Sequence, residues 1–382
     1  MHFLLTEAQK ASYREFDEFA ASNVRPFAER WDSAQEQPKS IALLLGKAGY
    51  LGATLPRKYN GRDSDFVTFG LLSEALGRAS SALANLITVQ TMVSMTLLKW
   101  GTETQRNRWL PPLATGDVIG AFALTEAGAG SATQSLQTRF HRSDDKLVLN
   151  GEKKWISYGG VADVFLVFGK LGDDFIACLV PRDTQGIEIE PIRGMLGFRS
   201  AALATVRFVD VNLSTDNLIG KQGFGLSHVA SVGLHYGRLS TACSAAGLVR
   251  ASFEESASYA AVRKIAGRSM CDIGMIQSII ARMGCDLKAA HLLCYAACCA
   301  EDNHLPESFA KALTAKYFSS KAAVRAAADA VQIQGALGCH ESSSVARYYR
   351  DAKLMEILEG TSQIHEQLLG KIFSSQGVRL AS

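Results

Sequence analysis

The stretch "GDVIGAFALTEAGAGS", residues 116–131, is where the chain changes character. Before it, apolar residues recur at helical spacing; after it, short apolar runs alternate with turn residues. The segment 118–126 reads as a strand, and Gly128-Ala129-Gly130 ends it in a loop whose backbone another group can approach closely. Thr125 and Ser131 place hydroxyls on either side of that loop. It is not a dinucleotide fingerprint, because Thr133 stands where the third glycine belongs and the surroundings read as β, not βαβ. Read alone, the loop is a tight turn or a ligand cradle.

Working outward, residues 6–32, 40–52 and 65–101 carry helical periodicity, with Thr6 placed as an N-cap. Downstream, "KLVLNGEKKWIS" (146–157), "ADVFLVFGK" (162–170), "DFIACLV" (174–180), "IEIEPI" (187–192) and "ATVRFVDV" (204–211) read as strands. Asn150-Gly151 predicts a two-residue hairpin turn inside the first of them. From Gly225 the helical period returns in Ala-rich blocks that suit close helix packing. The expectation is an α+β multidomain fold. It has an N-terminal helical domain (1–118), a middle β-barrel or sandwich domain (119–228) and a C-terminal four-helix bundle (229–382).

Composition narrows the function classes. A chain of 382 residues with 47% apolar and 20% charged residues builds an ordinary folded core. A net charge of +3 argues against nucleic acid or a membrane surface as partner. The eight cysteines include "CYAACC" (294–299) but no CxxC pair, so they read as small buried residues in a reducing compartment, with no metal site. The first sixteen residues turn polar too quickly for a secretory signal, and no apolar run approaches the ~20 residues of a membrane span. A cytoplasmic protein is expected.

Several short pieces can carry chemistry. Trp155 offers a flat face and Ser157, two residues on, a hydroxyl expected on the same side of the strand. Arg238 opens a long helix, where it meets a phosphate or an amide carbonyl or stays solvated. Arg263, Lys264 and Arg268 form a basic cluster at a helix end, a phosphate clamp or a helix-dipole partner. Gln332 precedes a glycine-terminated helix end at Gly335 and Ala336. In "LMEILEGTSQIHEQLL" (354–369), Glu356 and Glu359 interrupt apolar sequence; spacing alone leaves Glu359 either a surface charge or an inward carboxylate.

Together and in this order, "FALTEAGAGS", "LNGEKKWIS", "RDAKLMEILEGTSQI" and the helical–β–helical plan resemble the flavin-dependent acyl-CoA dehydrogenases over nearly the whole chain. The resemblance implies FAD between the β-domain and the C-terminal bundle. Phe122, Leu124, Thr125 and Gly130 would border the flavin, Trp155 and Ser157 would cover it, and Ser131 would face both cofactor and substrate arm. Arg263 would reach the FAD pyrophosphate of a neighbouring subunit, with Gln332, Gly335 and Ala336 beside it, while Thr361 and Gln363 would close over the cofactor. A shared cofactor site implies a homodimer or homotetramer.

Glu359 would be the base that takes the α-proton of an acyl thioester, with Gly360 letting the backbone approach the substrate and β-hydride passing to flavin N5. Glu356 matches no catalytic position and is read as solvated or paired. The usual electron acceptor is an electron-transferring flavoprotein.

This chain also departs from the pattern. His235 replaces the Asp that contacts the pantetheine arm near Arg238, and Ala266, Ile273 and Gly274 replace residues near FAD. "LHYGR" and "ALGCH" look more like members that serve secondary-metabolite pathways on acyl carrier proteins. The alternatives are oxidation of a hydroxyacyl-carrier-protein extender unit, or an O2-using flavin oxidase or monooxygenase on the same fold.

Overall fold

In the computed structural model of the chain, residues 5–375 are described, and every count of elements refers to them. Six helices come first: α1 (Glu7–Asn23), α2 (Ala28–Ala34), α3 (Ser40–Lys47), α4 (Phe66–Ala79), α5 (Ser81–Trp100) and α6 (Glu103–Thr115). Side-chain caps set the starts of four of them. Thr6 and Gln9 exchange bonds across the first turn of α1 in a capping box, and Thr102 and Gln105 do the same for α6. Asp65 and Ser80 cap α4 and α5.

The middle region holds β1 (Gly120–Ala123), β2 (Arg139–Ser143), β3 (Lys146–Ile156), β4 (Val164–Leu171), β5 (Asp174–Pro181), β6 (Ile187–Pro191), β7 (Ala204–Ser214) and β8 (Leu218–Ile219). Seven of them run in the order β6-β7-β3-β2-β4-β5-β8, and β1 pairs with β4. β1 and β2 both lie parallel to β4, at its beginning and its end, while the other pairings are antiparallel.

Asn150-Gly151 is not the hairpin. The β2–β3 turn is Asp144-Asp145, and β3 runs on through Asn150 with a register shift between Leu149 and Gly151. Gly151 has φ +148°, and a Cβ there would lie 2.8 Å from the Thr138 Cα, so the glycine serves a bulge and a close backbone approach.

A π-helical segment, Gly225–Ala230, leads into α7 (Ser231–Val262). A small hairpin follows, β9 (Lys264–Ile265) and β10 (Arg268–Ser269), then α8 (Gly274–Asp302), α9 (Ser308–Gln334), α10 (Ser344–Met355) and α11 (Ser362–Ser375). The three regions share one hydrophobic core, in which Phe69, Leu76, Phe140, Phe165, Phe208, Leu248 and Ala326 are all at most 2% exposed.

α5 corrects one expectation. Its 20 residues are long and apolar enough to cross a membrane, yet 89% of its most apolar window is buried inside the protein, where it packs against β1 and α7. It thereby forms the floor between the β-region and the bundle. The cysteines divide: Cys178, Cys243, Cys294 and Cys298 are buried as expected, but Cys285 and Cys339 are exposed.

Candidate active site

The turn after α10 carries the candidate base. Glu359 has φ +55° and Gly360 φ +98°, two successive left-handed residues. For glutamate that conformation is costly and persists only where its surroundings hold it. Arg238 Nε donates to the Glu359 carbonyl at 3.2 Å, and Lys316 Nζ donates to the Gly360 carbonyl at 2.7 Å. The turn therefore aims the Glu359 side chain at α7.

There the carboxylate meets Gly237: a Cβ on this glycine would sit 2.7 Å from Glu359 Oε2 and 2.9 Å from Met92 Sδ. One helical turn earlier, a Cβ on Gly233 would sit 2.4 Å from the Phe122 ring and 3.1 Å from Thr96 Oγ1. Two glycines at i and i+4 thus open one face of α7 to Phe122, to α5 and to the Glu359 carboxylate.

Oε2 of Glu359 is buried and has no hydrogen-bond partner among the described residues. Burial raises its carboxyl to about 7, although Arg238 and Lys316 nearby act to lower it. A carboxylate with that history is a competent base at neutral pH. Glu356, by contrast, pairs with Lys353 at 2.7 Å and with Lys321 at 3.9 Å. Glu359 is the inward one.

Arg238 is 8% exposed, so it is not a solvated helix-end charge. It meets an amide carbonyl, but the carbonyl belongs to Glu359, and its guanidinium also lies 5.7 Å over the ring of Phe309. His235, on the same helix face, bonds through Nε2 to Glu301 at 2.8 Å and stacks on Phe309 at 6.3 Å. Tyr236 OH also donates to Glu301, at 3.0 Å. With His235, Ser308 and Tyr236 all bonded to it, Glu301 is held down to about 2 despite its burial.

The loop after β1 is both a turn and a cradle. Glu126 and Ala129 exchange backbone bonds of 3.2 Å, closing the turn, and Gly128 and Gly130 each have open space where a Cβ would go. Buried chemistry holds it. Lys153, 0% exposed, donates to Glu126 Oε1 at 2.8 Å and to the Leu124 carbonyl at 3.0 Å. Glu126 also accepts from the Gln137 and Thr138 N–H groups at 2.6 and 3.0 Å.

Lys154 N–H donates to the Thr125 carbonyl at 2.9 Å, tying the loop to β3. At the end of β3, Trp155 adopts φ +62° and remains 46% exposed beside the cradle, with the Lys154 ammonium 5.2 Å over its ring. The strand is irregular between Lys153 and Ile156, so simple alternation does not put Ser157 on the same side as Trp155; Ser157 is half-buried just past the strand. Phe122 is half-buried against Phe168 at 4.8 Å, Leu124 is 6% exposed, and Ser131 is exposed.

These observations fit FAD: an exposed indole, an open glycine loop and hydroxyls at the half-buried Thr125 and the exposed Ser131. The remaining expected cofactor residues lie apart from this cluster. Arg263, Gln332, Gly335 and Ala336 are exposed, and no hydrogen bond or ion pair among the described residues joins their side chains to the Glu359 group. Thr361 Oγ1 accepts from the Ile364 N–H at 3.4 Å at the start of α11, and Gln363 is exposed. Ala266 and Gly267 form the left-handed turn of the β9–β10 hairpin, while Ile273 and Gly274 open α8.

Sequence reading missed Gly233, Gly237, Lys316 and the Glu126–Lys153 pair. For Lys316 a signal was present: it lies on the face of α9 marked by Ala312, Ser319 and Ala323, all buried.

Three family models match in chain order. They are the acyl-CoA dehydrogenase N-terminal domain over 6–117, the middle domain over 121–211 and the C-terminal domain over 223–373. An acyl-CoA dehydrogenase of Bacillus subtilis is 33% identical over 373 residues, covering 96% of this chain and 98% of that one. A glutaryl-CoA dehydrogenase of Mycobacterium smegmatis, solved with FADH2, superposes with a TM-score of 0.94 at 27% identity, covering 98% of this chain and 96% of that one. FkbI, for biosynthesis of the methoxymalonyl extender unit of the polyketide Fk520, superposes with a TM-score of 0.87 at 27% identity, covering 95% and 99%.

Proposed function

Since the chain belongs to the acyl-CoA dehydrogenase family, FAD oxidoreductases that act on CH–CH bonds, we propose that it desaturates an acyl thioester at Cα–Cβ with Glu359 as the base. The observation that carries this reading is the buried, unpartnered Oε2 of Glu359 against Gly237. A C–H bond beside a thioester is a weak acid, so its removal calls for a carboxylate whose basicity burial has raised.

When bound, FAD supplies the acceptor, flavin N5, for the hydride that leaves Cβ. The chain's own residues do the rest. Glu359 takes the α-proton on its carboxylate, and the left-handed turn at 359–360 exposes backbone to the thioester. Trp155 and the 125–131 loop orient the cofactor, and Phe122, Met92 and the two α7 glycines keep water from the reacting carbons. The exposed Arg263, Gln332, Gly335 and Ala336 suit the cofactor of a second copy, in a homodimer or homotetramer, and an electron-transferring flavoprotein suits the family's chemistry as acceptor.

A second reading is oxidation of a hydroxyacyl group on an acyl carrier protein during extender-unit synthesis. It is supported by the similarity to FkbI and by His235, held by Glu301 beside Arg238. One experiment separates the two: anaerobic mixing of the holoprotein with a panel of straight, branched and hydroxylated acyl groups, each on CoA and on carrier protein. Desaturation predicts flavin bleaching and a product lighter by two hydrogens with a new C=C. Bleaching by hydroxylated substrates alone, with a new carbonyl, would replace the first reading by the second.

A further inference from the structure

Two buried cations from different helices hold consecutive carbonyls of the segment that carries the base. Arg238 on α7 takes the carbonyl of Glu359, and Lys316 on α9 takes that of Gly360. Lys316 is 0% exposed, and among the described residues no carboxylate forms an ion pair with it. Burying an ammonium without such a partner costs several kcal/mol. Packing does not call for it: Ala312, Leu313 and Ala315 around it are all at most 1% exposed, and an apolar chain of similar length would fill the space. What the ammonium does hold is the strained turn at Glu359 and Gly360.

We propose that Lys316 is a positioning residue for Glu359: its ammonium fixes the 359–360 turn through the Gly360 carbonyl, and its charge favours the ionised carboxylate. The inference rests on Glu359 being the base.

Two cations act on the carboxylate, Arg238 from α7 and Lys316 from α9, and the uncharged Met92 of α5 lies beside it at Gly237. The ammonium of Lys316 in turn faces Glu356 from the end of α10 and His365 from α11. His365 is 0% exposed, donates through Nδ1 to the Thr361 carbonyl at 2.9 Å, and is pushed by burial down to about 4, so it stays neutral at working pH. Burial pulls Lys316 down to about 7, against the pull of Glu359. The two groups act on each other: the ammonium lowers the carboxyl's affinity for a proton, and the carboxylate raises that of the ammonium.

The sign follows. Without Lys316 the carboxylate loses a cation, its affinity for a proton rises, and activity that needs the carboxylate is lost at a higher pH as the solution is acidified.

The test uses holoprotein of Lys316→Met, Lys316→Gln and Lys316→Arg. FAD content is read by absorbance. The protonated Glu359 carbonyl stretch is followed against pH by infrared spectroscopy and identified by its loss in Glu359→Gln. The rate of anaerobic flavin reduction is measured with the thioester that bleaches the wild type fastest.

We expect Lys316→Met to keep FAD, to reduce flavin about 100-fold more slowly, and to shift both the acid limb and the infrared titration upward by about one unit. Lys316→Gln, a donor without the charge, shifts the titration likewise, and Lys316→Arg recovers part of the rate. An unmoved titration in Lys316→Met and Lys316→Gln overturns the proposal, whether the rate falls or not, since a slower enzyme with an unmoved carboxyl marks a packing role alone. Bleaching retained in Glu359→Gln would instead remove the base assignment itself.

Discussion

Gly237 and Glu359 occupy one space, and that is the feature of the site most sensitive to a single methyl group. In a helix, Gly→Ala ordinarily adds up to about 1 kcal/mol of stability. At position 237 the new Cβ would lie 2.7 Å from Oε2 and 2.8 Å from Cδ of Glu359, so the carboxylate must move. We expect Gly237→Ala to keep its fold and its FAD but to slow flavin reduction by about 10- to 100-fold. Wild-type rates in that variant would show that the carboxylate works from another position.

At this scale the sequence was informative where a residue type is itself unusual. A glutamate followed by Gly-Thr-Ser within apolar sequence marks Glu359, and the surrounding motifs separate it from Glu356. Gly237 and Gly233 carried no such mark, because a helical glycine discloses its purpose only through what fills the space across from it. Lys316 was hidden among four other charged residues of α9, Lys311, Lys321, Arg325 and Asp329; its burial depends on how α9 turns toward the 359–360 segment.

Among the elements, the loop after β1 depends on a salt bridge that lies beneath it. Glu126 and Lys153 are nearly fully buried. Burial opposes ionisation of both; even so, the Gln137 N–H, Lys153 and Thr138 keep the Glu126 carboxyl below its ordinary value, whereas Lys153 is pulled down to about 8. Removing one partner of such a pair costs about 3–5 kcal/mol, because the other is left charged and dry. Lys153→Met is expected to lower the melting temperature and weaken FAD binding, with the Glu126→Gln/Lys153→Met double variant recovering part of both losses. Melting curves and FAD titration measure this; a double variant as impaired as the sum of the singles would show that the two residues act independently.

At the same scale, Asn150-Gly151 carries the chemistry of a hairpin turn without forming one. Hairpin chemistry is local, but Gly151 is selected by a distant contact, the backbone of Thr138 pressed against it. Strand identity survived because it rests on apolar alternation, which burial on one face enforces. α5 differs in another way: no apolar run was expected to approach membrane-spanning length, yet this helix does. An apolar helix of membrane-spanning length carries no sign of whether lipid or protein surrounds it, and here the β-region and bundle do.

The molecule as a whole is built so that the site exists only where regions meet. Glu359 sits after α10, the cations that hold its turn on α7 and α9, Met92 on α5 and the glycine loop between β1 and β2. Charged contacts fix these regions against one another: Asp32 on α2 bonds Arg350 of α10 and lies 3.5 Å from Arg199, and Arg347 reaches Glu29 at 3.0 Å. The helical–β–helical plan was legible from periodicity alone. The geometry between regions was not, since it is set by contacts more than a hundred residues apart.

The central claim is that this assembly buries Glu359 to make it a base. The most direct measurement is exchange of the substrate's α-hydrogen with deuterated water, anaerobically, in wild-type and Glu359→Gln holoprotein with matched FAD content. The account predicts exchange in the wild type that fades as pH falls through about 7, and at least a 100-fold loss in Glu359→Gln. Exchange at the wild-type rate in Glu359→Gln would contradict it.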